Sequence, residues 1–183
     1  SATGLDLALL RTYNSQGLLN DDNADNWRLG VPQRVFQLTG TVNTAGSTVM
    51  KTFGDGADVR YTYNTTLGYY VSKDGDGAHD SLAWNTGTSQ WTWTDGSLRN
   101  TETYNSTGQL INTKDGDGNT FSYTYSGSLL TQIVDASGQT TYLDYNVGPN
   151  TLRQVRVVSN SVTQTLTRYT YDASNRLTQV RVD

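Results

Sequence analysis

The sequence has no cysteine, a single histidine and a single glutamate. Without cysteine the chain cannot form a disulfide, a zinc finger or an iron–sulfur cluster, and it has no cysteine nucleophile. Only three lysines and one methionine accompany the single glutamate, so good helix formers are nearly absent. This composition argues against a helical bundle and against an α/β fold.

The net charge is also small. The 183 residues carry 13 Lys or Arg and 17 Asp or Glu, which gives a formal net charge of −4. No basic face is expected, so we expect no nucleic-acid partner. No apolar run approaches the ~18 residues that a membrane-spanning helix needs. The sequence contains no basic segment followed by an apolar one, so no signal peptide is visible in this chain.

Residues that favour strands and turns dominate instead. The chain holds 29 threonines, 12 tyrosines, 4 tryptophans and 18 glycines. Threonine and aromatic side chains fit a half-buried pleated sheet. Because hydrophobic residues make up only 34% of the chain, we expect a core built from large rings rather than a deep aliphatic layer.

A repeat of about 20 residues runs along the chain. Asp115 recurs as Asp135 and Tyr125 recurs as Tyr145, each 20 positions later. Strands that alternate polar and aromatic residues are separated by four-residue segments that begin with Asp or Asn and end with Gly. Such segments favour type I turns between antiparallel strands. The predicted turns are 14–17, 43–46, 74–77, 105–108, 115–118 and 135–138.

These patterns predict an all-β fold. We expect antiparallel β-hairpins that stack into a continuous twisted sheet strip, because one hairpin cannot bury its own face. Residues 1–183 are predicted to form a single repeat region. Within it, residues 1–35 are an irregular start or cap, and the clear hairpin repeats cover about 60–183.

Segments 104–110 and 171–177 resemble the YD repeat of the RHS family, in which Tyr-Asp is followed by a turn and then by Arg-Leu. The first of these segments departs from the motif, with Tyr-Asn and Gln-Leu in place of the two pairs. The residues that carry the repeat are Tyr104, Asn105, Gly108, Leu110, Asp115, Gly118, Tyr125, Asp135, Gly138, Tyr145, Tyr171, Asp172 and Leu177.

The resemblance implies a piece of a large bacterial protein that is secreted or on the cell surface. In that family the hairpins wind into a hollow β shell around a C-terminal toxin, and Tc-toxin C subunits and teneurins look similar. The implied function is a non-enzymatic scaffold. The implied partners are the rest of its own shell and the enclosed toxin. Open sheet edges also predict self-association of this chain.

Calcium is a second hypothesis for the aspartate-rich turns. Asp74 and Asp76, and likewise Asp115 and Asp117, place two carboxylates two residues apart, and Ca²⁺ prefers oxygen ligands. The EF-hand pattern fails, because the glycine and the glutamate that it requires are missing from these positions. A hairpin turn is therefore the favoured interpretation, and no other cofactor is expected.

Two further function classes are open. Trp84, Trp91 and Trp93 could form an exposed platform for a carbohydrate-binding adhesion module, although packing in the core is the favoured interpretation. A hydrolase would depend on His79 or Glu102. We expect His79 to be an exposed loop residue and Glu102 to point outward from a strand, so no catalytic residue is predicted.

Overall fold

The computed structural model describes residues 11–13, 27–29, 31–73 and 79–183. Every regular element in these ranges is a strand. The strands are β1 Arg11–Tyr13, β2 Trp27–Leu29, β3 Arg34–Thr39, β4 Thr48–Thr52, β5 Asp58–Asn64, β6 Tyr69–Val71, β7 Ser81–Asn85, β8 Gln90–Thr94, β9 Thr101–Tyr104, β10 Leu110–Lys114, β11 Thr120–Ser126, β12 Leu129–Val134, β13 Thr140–Tyr145, β14 Leu152–Ser159, β15 Val162–Tyr171 and β16 Leu177–Val182.

In the sheet, strands β3 to β16 are arranged in the same order as along the chain. The first two strands form a separate antiparallel pair, with Arg11 opposite Leu29. The predicted fold class, an all-β protein of antiparallel hairpin repeats, is confirmed. Within the described ranges no helix is long and apolar enough to cross a membrane. Most of the predicted cap over residues 1–35 lies outside those ranges, so its boundaries stay a prediction.

Residues 31–120 form one compact unit. Its strands β3 to β10 are paired antiparallel in chain order. Strands β4 and β9 are five steps apart in that order, which is about 24 Å in a flat sheet. Yet Lys51 Nζ on β4 lies 2.9 Å from Glu102 Oε2 on β9. The sheet of this unit therefore rolls over on itself, so that one face becomes its interior.

Rings fill the interior of this unit. Tyr61, Tyr70 and Tyr104 are completely buried, and Trp91 and Trp93 are nearly so. The expectation of a ring-built core therefore holds for residues 31–120.

Residues 121–183 belong to a second compact unit. Its strands β11 to β16 are also paired antiparallel in chain order. Its buried apolar residues are Phe121, Leu130, Ile133, Leu143, Leu152 and Val155. The expectation of a ring-built core is therefore wrong here, because five of these six buried apolar residues are aliphatic.

Candidate functional site

Four turns share one construction, which is the structural unit behind the sequence repeat. They begin at Asn105, Asp115, Asp135 and Asp172. In each, the Oδ1 atom of the first residue accepts hydrogen bonds from the backbone N–H groups two and four residues later, at 2.9–3.1 Å. The oxygen of the short Asn or Asp side chain thus takes the place of a backbone acceptor for these N–H groups.

The fourth residue of each such turn has a positive φ angle. It is 83° at Gly108, 90° at Gly118, 85° at Gly138 and 60° at Asn175. Glycine adopts this left-handed conformation without steric cost, and asparagine tolerates it better than most residues. The predicted turns at 105–108, 115–118 and 135–138 therefore have the local structure that their residues indicated.

A second type of turn differs from these four in its hydrogen bonds. At Asn64, Asn85 and Asp95 the Oδ1 atom accepts from the N–H groups two and three residues later. The left-handed residue now comes fifth, and at two of these turns it is Ser89 or Arg99. Because neither residue type signals a left-handed conformation, the spacing from Asn or Asp to Gly could not reveal these turns.

Asn43 does not cap the predicted turn at 43–46. It is itself in the left-handed conformation, with φ of 59°. Its side-chain amide donates to the Trp84 carbonyl oxygen at 3.3 Å, and its backbone N–H donates to the Tyr70 hydroxyl at 3.0 Å. The prediction was wrong in this respect, because Asn43 bonds to distant strands and not to its own turn.

Four hairpins also pair a tyrosine with a leucine across the turn, and two of them contain the turns that begin at Asn105 and Asp172. The pairs are Tyr104 with Leu110, Tyr125 with Leu130, Tyr145 with Leu152, and Tyr171 with Leu177. A register shift accompanies every one of these pairs. Such irregularities increase the local twist of the strands. The repeat therefore sets both the turn and the twist that follows it.

Tyrosine hydroxyls then link successive hairpins. The Tyr145 hydroxyl donates to the Leu130 carbonyl oxygen at 2.7 Å, and the Tyr171 hydroxyl donates to the Leu152 carbonyl oxygen at 2.8 Å. In both cases the acceptor is the leucine of the preceding hairpin's Tyr–Leu pair. We call these two bonds the tyrosine ladder. They join the Tyr145 hairpin and the Tyr171 hairpin each to its predecessor by a side chain in addition to the backbone.

The carboxylate of Asp115 accepts hydrogen bonds from other residues of its own turn. Its Oδ2 atom accepts from the Asn119 side chain at 2.8 Å, and this bond, with backbone donors, lowers the pKa of Asp115. The described residues, which include Asp115 and Asp117, contain no group of three or more His, Cys, Asp or Glu that could hold a metal ion, and calcium binding at this pair stays a prediction. Asp74 and Asp76 lie outside the described residues, so calcium binding there stays a prediction.

The only glutamate is paired inside the rolled sheet. Glu102 Oε2 lies 2.9 Å from the ammonium group of Lys51, whose side chain is fully buried, and the side chain of Glu102 is 14% exposed. The Tyr104 hydroxyl donates to the same carboxylate. The Lys51 ammonium also lies 3.8 Å from the ring centroid of Phe53 and 4.5 Å from that of Trp93. The prediction that Glu102 points outward was wrong, because the roll of the sheet places β4 across from β9.

Burial of this cluster changes its electrostatics. Desolvation lowers the pKa of Lys51, while Glu102 acts in the opposite direction. Desolvation raises the pKa of Tyr61 to about 12. The Trp93 indole N–H donates to the Tyr61 hydroxyl at 3.1 Å. Removal of one member of such a buried pair is costly, because the other charge then stays buried without its partner.

The tryptophans do not form the exposed platform that a glycan would need. Trp91 is 4% and Trp93 is 7% exposed. The half-buried Trp84 ring leans against Trp91, with the centroids 5.1 Å apart. The platform hypothesis is therefore wrong for Trp91 and Trp93, because these rings are core material. His79 is exposed, as predicted.

Stacked antiparallel hairpins with one recurring turn define a β-repeat protein. A family model described as RHS Repeat matches residues 104–140. This segment contains the first three of the four shared turns, and the predicted resemblance to the RHS repeat is confirmed there.

The comparison with curated proteins found no match. A crystal structure of TcdB2-TccC3-Cdc42 is similar over 79% of this chain, with 14% sequence identity and a TM-score of 0.46. This chain spans 9% of the length of that chain.

Proposed function

We propose that this chain is part of the wall of a YD-repeat shell. The shell belongs to a large bacterial protein that is secreted or on the cell surface, and it encloses a C-terminal toxin. The observation that carries this proposal is the recurrence of Asx-capped turns and of Tyr–Leu pairs along consecutive hairpins at an RHS-repeat match. The role is mechanical, so no reaction is assigned to any residue.

The sheet suits containment for a physical reason. Backbone hydrogen bonds run from each strand to the next, and the tyrosine ladder adds side-chain bonds between hairpins. A protease must open such a wall locally before it can cleave the backbone, and local opening of a well-bonded sheet is rare. A wall of this kind separates its contents from solvent and from other proteins.

The exposed apolar residues of strand β16 support the proposal that this strand pairs with another part of the wall. Leu130 and Ile133 on β12 are buried, and Leu152 and Val155 on β14 are buried with the same spacing. Leu177 and Val180 repeat that spacing on β16 but are 38% and 50% exposed. An exposed apolar edge strand is a template for pairing with another strand. The partner proposed for it is a further hairpin of the same shell.

The proposal is tested by protease protection of the cargo. The full gene product is treated with a broad-specificity protease, and the half-life of its C-terminal domain is compared with that of the same domain produced alone. Containment predicts a half-life at least tenfold longer in the full product. Equal half-lives, with the repeat region intact on the same gel, would show that the hairpins enclose nothing.

A further inference from the structure

A preformed pocket lies within residues 31–120, between strand β3 and the turn that joins β9 to β10. Its volume is about 270 Å³. Its floor consists of Val35, Val49 and Trp91, all at most 4% exposed, and Trp84 forms a side wall. The floor is rigid, because each of these residues belongs to a paired strand.

Close contact between β3 and the turn builds the pocket. The Val35 backbone N–H donates to the Gly108 carbonyl oxygen at 3.0 Å. A Cβ atom on Gly108 would lie 1.7 Å from the Val35 carbonyl oxygen, so only glycine permits this approach. The same turn contributes Ser106 and Thr107 to the rim, where both are exposed.

A strained residue also lines the pocket. Gln37 has a φ of 50° in the middle of β3, where the register with β4 shifts between Phe36 and Thr39. A left-handed conformation costs free energy in any residue with a side chain, and bulges of this kind often re-aim a side chain next to a binding site. The bulge places Gln37 and the 45% exposed Leu38 at the pocket mouth.

The lining selects the class of ligand. Seven of the eleven lining residues are apolar and none is charged. A charged ligand would lose its hydration there without gaining a partner, which is unfavourable. A sugar needs more hydrogen-bond partners than Gln37, Ser106 and Thr107 provide. The volume is below the roughly 300 Å³ at which drug-sized sites begin, so it suits one ring system.

We infer that this pocket binds one uncharged aromatic group that carries a single hydrogen-bonding atom, such as an indole or a phenol. The group stacks on the wall formed by Trp84 and bonds to the Gln37 side-chain amide at the rim. Such rings occur as free molecules and as side chains of polypeptides. This inference goes beyond the proposed shell function and does not depend on it.

The test uses the whole chain with indole as the probe. Indole binding is followed by nuclear magnetic resonance of the Trp84 indole N–H and by calorimetry. We expect saturable binding with a Kd on the order of 1 mM, as suits a ligand of this size. N-acetyl-tryptophanamide is the second probe. Equal or tighter binding of the amide assigns the pocket to a polypeptide side chain, and binding of indole alone assigns it to a free molecule.

Matched variants locate the binding. Leu38→Trp fills the mouth of the pocket with a ring of its own and should weaken indole binding by about tenfold. Leu67→Trp changes a similarly exposed leucine, at 51% exposure, away from the pocket and should leave the Kd within about twofold. Gln37→Gly removes the strain and the amide together, so it should raise the unfolding temperature and still weaken binding about fivefold.

Three results would overturn the inference. The first is the absence of a saturable shift of the Trp84 signal up to 10 mM indole, on the order of ten times the expected Kd. The second is an equal effect of Leu38→Trp and Leu67→Trp on the Kd. The third is saturable binding of glucose in the absence of indole binding, which would make the pocket a sugar site.

Discussion

The Tyr171 hydroxyl donates a hydrogen bond to the Leu152 carbonyl oxygen, 19 residues earlier in the chain, at 2.8 Å. The same relationship joins Tyr145 to Leu130, 15 residues earlier, at 2.7 Å. Each bond ties the tyrosine of one repeat hairpin to the leucine of the hairpin before it. The tyrosine of the sequence motif therefore holds neighbouring repeats together, while the Asn or Asp that follows it shapes the turn.

Removal of a ladder hydroxyl should weaken the fold. Tyr145→Phe and Tyr171→Phe each leave a carbonyl oxygen without its side-chain donor, and each should lower the free energy of unfolding by about 1 kcal/mol. Urea titration measures this loss. Tyr142→Phe on the same strand as Tyr145 is the control, because the contact of its ring with Arg156 survives the change. Equal losses for all three variants would contradict the ladder.

The glycines at one turn position should differ sharply in tolerance. Gly108 and Gly138 have nearly equal φ angles, 83° and 85°. A Cβ atom at Gly138 would meet nothing within 4 Å, whereas at Gly108 it would lie 1.7 Å from the Val35 carbonyl oxygen. Gly138→Ala should cost about 1 kcal/mol for the backbone strain alone. Gly108→Ala should cost at least about 3 kcal/mol, because β3 must move away from the turn.

Thermal and urea unfolding of the two alanine variants provide the comparison. A Gly108→Ala protein as stable as Gly138→Ala would show that β3 does not lie against the turn after β9. The roll of the sheet within residues 31–120 would then be wrong as well.

The buried ion pair should respond asymmetrically to mutation. Lys51→Met leaves Glu102 buried without its cation and should cost about 3 kcal/mol or more. The double variant Lys51→Met/Glu102→Met removes both charges and should recover most of that loss. Arg168→Met breaks an ion pair with Asp183 in which the arginine is 56% exposed, and it should cost less than about 1 kcal/mol.

Urea unfolding followed by tryptophan fluorescence measures this cycle, because Trp93 lies against Lys51. A double variant that is less stable than Lys51→Met alone would show that the pair does not act as a unit.

Acid should weaken the Asp-capped turns but not the Asn-capped one. Hydrogen bonds lower the pKa of Asp115, chiefly from the Asn119 side chain, and that of Asp172, chiefly from the Arg176 backbone. With a lower pKa in the folded state, the unfolded state binds protons first as the pH falls. The stabilisation is therefore present above the ordinary aspartate pKa of about 3.9 and is lost below it.

Asp115→Asn/Asp172→Asn copies the natural cap at Asn105, where an amide oxygen accepts the same backbone bonds. This variant should lose less stability between pH 5 and pH 2 than the parent protein, as measured by thermal unfolding at each pH. Parallel curves for the two proteins would contradict a role for the carboxylates.

Local features of this fold could be predicted from sequence, and features that depend on distant contacts could not. The turns at Asn105 and Asp115 were predictable, because a short polar side chain and a glycine three residues apart determine the turn by themselves. The turn that ends at Arg99 was not, since arginine gives no sign of a left-handed conformation.

The ion pair shows the same limit at longer range. Alternation along β9 places Glu102 and Tyr104 on one face, but it cannot say what lies opposite that face. The partner, Lys51, is 51 positions earlier, and only the roll of the sheet brings it within 2.9 Å. The pocket beside Gln37 could not be predicted either, because no sequence pattern indicates the bulge in β3.

The most direct measurement for a shell wall is a cryo-electron microscopy map of the full gene product. Residues 31–183 should lie in a curved wall in which each strand from β3 to β16 has neighbours on both sides, with density for a C-terminal domain inside. A map in which these hairpins project into solvent, with β16 uncovered and no enclosed density, would contradict the proposed function.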